Sequence, residues 1–365
     1  MYKMENGKLI CFVGGTFTRD GGKESGLVNK IFNELLRYFP KDEIILHNGG
    51  NSEDIPNLLQ EVKGKDYVFW WANVLDLEEK HRNVKEVNPY CMFIGSKRNN
   101  NEYSFAELLL RSLEQKHNLC IEFSKQDKVN MRIFDPLGNV FFDGQDIPNM
   151  VCCLVNRMKF LKSMKRIASI RDKETITIDR IDPLFLELIK GYAETFHELI
   201  QTQTSRFLGN CSTRCMRGFP SQRINDLVYV SRRNVDKRYI DENAFVPCRL
   251  QDEHVIYFND NKPSVDTPIQ LELYKQLPKI NFMIHSHCYI ENAPFTSEII
   301  PCGAIQEINQ ILDLISEDNT KNLEYFVVNL KGHGSTIMAN KVEDLRDIKY
   351  IPRILPENQI DWNIK

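Results

Sequence analysis

Short apolar runs alternate with segments of helical period through the first part of the chain, and this alternation narrows the fold more than any other feature. Residues 9–13 (LICFV), 67–71, 91–94 and 119–123 are too short for buried helices and read as buried strands, with residues 43–46 as another. Between them, residues 27–38 repeat apolar positions at helical spacing (Leu27, Ile31, Leu35 and Val28, Phe32, Leu36) and stop before Pro40. Residues 55–62 and 105–115 also read as helices. Apolar strands alternating with helices predict a mostly parallel, Rossmann-like α/β layer. Residues 132–142 (RIFDPLGNVFF) have the look of a hairpin about Pro136-Leu137-Gly138. A charged, weakly patterned stretch over 165–182 follows, and it marks a boundary between domains 1–165 and 166–365. At about 150 residues per domain, 365 residues also point to two domains.

The second part alternates again, with a helix over 183–200, strands over 254–258, 282–287 and 325–330, and helices over 267–277 and 305–315. Its many short strands predict an antiparallel or mixed sheet. A 42% hydrophobic composition supplies real cores and argues against disorder. With 47 Lys+Arg against 50 Asp+Glu, the net charge of −3 does not advertise nucleic acid or an anionic membrane as a partner. No run approaches the ~18 apolar residues of a membrane span. The first residues lack the apolar region and cleavage site of a signal peptide. The 10 cysteines are scattered, so reduced thiols in a cytoplasmic protein are the expectation. Cys152-Cys153 and Cys211-x3-Cys215 fit buried thiols better than metal ligands.

Three of the eight histidines stand at the ends of two apolar runs. In Phe282-Met283-Ile284-His285-Ser286-His287 the two imidazoles are two residues apart, so on a strand they share a face. His333 ends the second run between Gly332 and Gly334, which allow a tight turn. If the two strands are neighbours, the three imidazoles form an open site for Zn²⁺ or another divalent metal. Core histidines are the competing reading for each one taken alone. Asp266 lies in the turn entering a helix, about twenty residues before the histidine pair. It and Ser264 fit helix capping, and a free helix N-terminus with hydroxyls also suits a phosphate.

In the N-terminal part, Gly14 and Gly15 follow the first strand and Gly21 and Gly22 precede the first helix. Glycines between a first strand and helix suit a nucleotide or phosphate, although the spacing matches neither common phosphate-loop motif. A plain flexible loop is the alternative. The element order is similar to that of nucleoside deoxyribosyltransferase-like domains, a likeness of fold only. Chemistry on a glycosidic bond would want a carboxylate, for which Glu78, Glu79 and Glu107 are available. Trp70-Trp71 reads as core.

The second domain resembles the class II aldolase/adducin family. GNCSTR (209–214), KPSVDTPIQLELYKQLP (262–278), FMIHSH (282–287), IPCGA (300–304) and VNLKGHG (328–334) carry the likeness, in family order and spacing. The resemblance implies a three-layer α/β/α domain, commonly a homotetramer, acting on a small sugar-phosphate substrate. It makes His285, His287 and His333 the zinc ligands and Asp266 the acidic ligand or acid/base. It makes Gly209, Asn210 and Ser264 phosphate-binding, with Ser231 and Arg232 beside another phosphate position. Val265 stands where the family has a second serine, and Arg232 where it has glycine. The chemistry implied is zinc-dependent, aldolase-type cleavage of a phosphorylated ketose through a metal-stabilised enediolate. Two alternatives are a pentulose-phosphate 4-epimerase, favoured by aspartate at 266, and a non-catalytic adducin-like scaffold.

Overall fold

The computed structural model describes residues 9–76, 84–100, 102–125, 129–178, 181–199, 207, 209–214 and 227–353. Glu78, Glu79 and Cys215 lie outside the described residues. The chain divides into two compact units at Ser163/Met164.

The first unit runs β1 (Ile10–Thr18), α1 (Gly26–Leu35), β2 (Ile44–Asn51), α2 (Ile55–Glu61), β3 (Tyr67–Trp70), β4 (Asn73–Val74), α3 (Val84–Val87), β5 (Met92–Asn99), α4 (Phe105–Glu114), β6 (Leu119–Lys125), β7 (Val129–Phe134), β8 (Val140–Gly144) and α5 (Ile147–Ser163). The sheet order is β2-β1-β3-β5-β6-β7-β8, with β4 beside the end of β1. The pairs from β2 to β6 are parallel, and the β6–β7 and β7–β8 pairs are antiparallel. Alternate residues of β1 serve opposite faces. Ile10 and Phe12 pack with Ile31 and Leu35 of α1 and Met150 and Leu154 of α5. Cys11 and Val13 pack with Ile55 and Leu58 of α2. A sheet buried on both faces is why its strands read as unbroken apolar runs. The Arg132–Phe142 region forms the expected hairpin, closed by Asp135, whose Oδ1 accepts from Leu137 N and Asn139 N at 2.9 and 3.0 Å.

The first strand does not end before the glycines; β1 runs on through Gly14 and Gly15 to Thr18, with a register shift against β2 between Gly14 and Phe17. The glycines permit backbone contact. A Cβ on Gly15 would lie 2.5 Å from Gly49 N, and one on Gly22 would lie 1.6 Å from Thr16 O. The following loop is thus laid onto the strands, with Gly22 N donating to Gly50 O at 2.7 Å and Thr16 N to Lys23 O at 2.9 Å.

The second unit comprises β9 (Ser169–Arg171), α6 (Pro183–Leu199), β10 (Asn210–Arg214), β11 (Val228–Ser231), β12 (Phe245–Gln251), β13 (His254–Tyr257), α7 (Thr267–Gln276), β14 (Phe282–Ser286), β15 (Tyr289–Ile290), α8 (Gln306–Leu312), β16 (Tyr325–Leu330), β17 (Gly334–Ala339) and β18 (Tyr350–Ile351). Its main sheet has the order β16-β17-β14-β10-β11-β12-β13-β9, antiparallel except for the β13–β9 pair. Here too the residue alternation sorts the layers. Phe282 and Ile284 face Phe185 and Ile189 of α6. Met283 faces Ile269 and Leu273 of α7 and Ile308 and Ile311 of α8. The unit is therefore a three-layer α/β/α domain. By the same alternation, His285 and His287 share the face of Met283, toward the layer that holds α7 and α8.

Candidate metal centre and its supports

The β14–β17 pairing brings the histidines together. His285 lies opposite Thr336 and Ser286 opposite Ser335, so His333, just before β17, stands beside the end of β14. Gly334 makes this approach feasible, since a Cβ there would lie 1.9 Å from Ser286 O and its φ is +155°. The ring centroids of His285 and His287, His285 and His333, and His287 and His333 are 5.2, 4.7 and 5.1 Å apart. Each ring offers a nitrogen within 4.8 Å of the others, and this is the group of three found among the described residues able to share an ion. The residues are 3%, 8% and 1% exposed.

Hydrogen bonds engage some of the ring nitrogens and leave others free. His285 Nδ1 meets the carbonyl of Ser335 at 2.9 Å, while its buried Nε2 has no hydrogen-bond partner. His333 Nδ1 meets Glu307 Oε1 at 2.8 Å, and its Nε2 meets Cys302 Sγ at 3.1 Å. His287 leaves a buried Nδ1 without a partner. Buried polar atoms are normally bonded, so these orphans mark a place where a further group fits. Imidazole nitrogens with lone pairs turned inward are the donor set of a divalent ion such as zinc.

The electrostatics of two of the three rings agree. Burial pushes the His285 pKa down to about 4, with His333 adding to the effect, and pushes His287 well below its ordinary value. Both rings are neutral near pH 7, as ligation requires. Burial also opposes charge on His333, but Cys302 and Glu307 outweigh it and lift that pKa well above the ordinary range. Glu307 is itself raised by burial, with His333 opposing.

Asp266 closes one side. Its Oδ2 accepts from Asn210 Nδ2 at 3.0 Å and lies 3.9 Å from His285 Nε2, while Oδ1 is buried without a partner. Gln270 Nε2 in turn donates to Asn210 Oδ1. Asn210, expected at the phosphate, thus has its side chain engaged in holding the acidic residue. Gly209, at φ +80°, packs against β14, where a Cβ would lie 2.6 Å from His285 O. Ser231, Arg232 and Ser264 come together, with Ser264 N donating to Ser231 O at 3.3 Å and Arg232 bridging Pro263. The Ser231 hydroxyl accepts from Cys211 N at 3.1 Å, and Arg232 is exposed. Ser264 Oγ receives the N–H of Asp266 at 3.5 Å.

Three polar groups near the histidines were not singled out by the sequence. Glu307 lies four residues before Ile311, on the buried face of α8, and a carboxylate on an apolar face was the available signal. Cys302 was visible only as part of IPCGA. Lys237 is buried, its ammonium donating to Val235 O at 3.2 Å and Phe207 O at 3.3 Å; burial lowers its pKa, with Cys211 and Asp236 opposing. In the first unit, Glu107 is committed to a capping box with Ser104. Trp70 and Trp71 are buried in the core. Gly14, Gly15, Gly21 and Gly22 lie in β1 and the loop after it.

The second unit is thus a three-layer α/β/α domain with a histidine cluster that could hold a metal ion. Residues 191–348 match the family model described as Class II Aldolase and Adducin N-terminal domain, and the second unit is a domain of that family. Among solved structures, the chain is similar to an L-fuculose 1-phosphate aldolase at 15% identity and a TM-score of 0.31, over 46% of this chain and 82% of that one. It is also similar to YgbL from Klebsiella pneumoniae, titled a putative aldolase/epimerase/decarboxylase, at 12% identity and a TM-score of 0.30, over 46% and 92%. The L-fuculose-1-phosphate aldolase of Thermus thermophilus matches at 14% and 0.29, over 45% and 85%.

Proposed function

We propose that the second unit is a metal-dependent, aldolase-type lyase that cleaves a phosphorylated ketose, with His285, His287 and His333 holding a divalent cation, zinc by donor type. The observation that carries this reading is the buried imidazole triangle, in which His285 Nε2 and His287 Nδ1 lack any hydrogen-bond partner. The bound ion would supply Lewis-acid polarisation of the ketose carbonyl.

The chain's own residues supply the rest. Asp266 is fixed through Oδ2 by Asn210, leaving Oδ1 to take and return a proton. Ser231, Arg232, Ser264 and the backbone about Gly209 form the phosphate seat, and the buried charge of Lys237 favours an anionic substrate. Arg232 suits bidentate binding of a phosphate. Glu307 orients His333 through Nδ1. A second reading, a pentulose-phosphate 4-epimerase, is favoured by aspartate rather than glutamate at 266. On either reading the enzyme is a cytoplasmic homotetramer with no nucleic-acid partner. In the first unit, the glycines Gly14, Gly15, Gly21 and Gly22 would bind a nucleotide or sugar. Among the described residues no helix is long and apolar enough to cross a membrane.

Metal analysis and product analysis test the reading together. The full chain should carry a single divalent ion that His285→Ala loses, and a ketose-phosphate panel should release an aldehyde. Stereoisomer formation without aldehyde would select the epimerase. Absence of bound metal would leave only a non-catalytic scaffold.

A further inference from the structure

We infer that Cys302 is a fourth protein ligand to the ion at the histidine triangle, so that the resting site is closed by a thiolate. The inference rests on the metal reading above and extends it to a residue that the reading does not use. His333 is fixed by Glu307 at Nδ1, which leaves Nε2 as its ligating nitrogen. Cys302 Sγ sits on that nitrogen at 3.1 Å. In a tetrahedral zinc site with Zn–N near 2.0–2.1 Å and Zn–S near 2.3 Å, a sulfur and a nitrogen are about 3.5 Å apart. The observed pair therefore needs only about half an ångström of separation to admit an ion between them.

The loop is built to present this sulfur. Gly303 has φ +74°, a conformation that other residues rarely adopt, and a Cβ there would lie 3.1 Å from Val265 O. The turn is closed by Ala304 N donating to Pro301 O at 3.2 Å, and it passes directly into α8, where Glu307 N donates to Ala304 O at 3.1 Å. One short segment thus delivers Cys302 to one nitrogen of His333 and Glu307 to the other. The unpartnered, buried Nε2 of His285 faces the same space. Cys302 is only partly buried, so an incoming substrate oxygen can reach and displace it. As the metal–sulfur bond forms, the thiol proton leaves to solvent. Four protein ligands make a closed set, whereas catalysis needs an open position; departure of the thiolate would open it.

Cobalt substitution of the full chain reads this directly, because thiolate ligation gives a near-ultraviolet sulfur-to-cobalt charge-transfer band and imidazole ligation does not. The band is expected in the wild type and lost in Cys302→Ser with cobalt still bound. Zinc X-ray absorption on the unmutated protein should also place a sulfur at about 2.3 Å, whatever the variant's folding. A single bound ion with only nitrogen and oxygen neighbours, or a band surviving in Cys302→Ser, overturns the cysteine assignment and leaves the metal reading intact. A wild type that binds no ion overturns both.

Discussion

His333 is gripped at both nitrogens, and the two partners do different work. The carboxylate of Glu307 at 2.8 Å fixes the ring's tautomer and orientation, the role outer carboxylates take behind metal-bound imidazoles. Glu307→Gln should weaken metal affinity by roughly 10–100-fold while leaving the fold intact, measured by competition with a chromophoric chelator; unchanged affinity would remove Glu307 from the site. The three histidines stood out in the sequence because strand periodicity and terminal glycines are local signals, and Asp266 because of its place at a helix start and its family motif. Glu307 and Cys302 did not, because their meaning depends on a loop that folds back onto His333 from a distant part of the chain. Asn210 shows a different case. Its motif marked it for phosphate, but its side chain serves Asp266 and Gln270, which no spacing reveals.

At the scale of elements, the glycines of the first unit carry a different lesson. Glycine weakens a strand on its own, so the sequence reading stops the first strand at Val13. Pairing with β2 and β4 overrides that weakness and carries β1 to Thr18. The loop then needs Gly22, because any side chain there meets the backbone of Thr16. Gly22→Ala should destabilise the first unit by about 2 kcal/mol or more, read as a fall in its guanidinium midpoint. Gly26, at the start of α1, has open space around its Cβ position. Gly26→Ala should be neutral or stabilising by up to ~1 kcal/mol, and equal losses in the two variants would contradict the packing argument. The helices were legible except for the short α3 (Val84–Val87). The strand order was not, since each neighbour in the sheet is chosen by contacts distant in sequence.

At the scale of the whole chain, the two units should respond to different variables. Adding zinc should raise the unfolding transition of the second unit by about 4 kcal/mol at a thousandfold excess over the dissociation constant and leave the first unchanged, as followed by calorimetry with and without chelator. Acid should act on the first unit through His117, whose pKa is pushed down to about 3, chiefly by burial and secondarily by Lys97 and Lys85. Its unfolded value is about 6.5, so between those limits the unfolded chain binds the extra proton. Stability from this group is full above pH ~6.5 and drains away as pH falls toward 3, by at most about 1.4 kcal/mol per pH unit. His117→Asn should flatten the slope of stability against pH in that window; an unaltered slope would assign the acid sensitivity elsewhere. The pairing of β14 with β17 has one more consequence. Neighbouring strands stand about 4.8 Å apart, and the rings of His285 and His333, one from each side of that seam, are 4.7 Å apart. The backbone pairing therefore brings the two imidazoles within reach of each other. Changes in the surrounding loops can alter which molecules are admitted, but to spread the histidine-bearing ends of these strands the protein would have to unzip the β14–β17 seam.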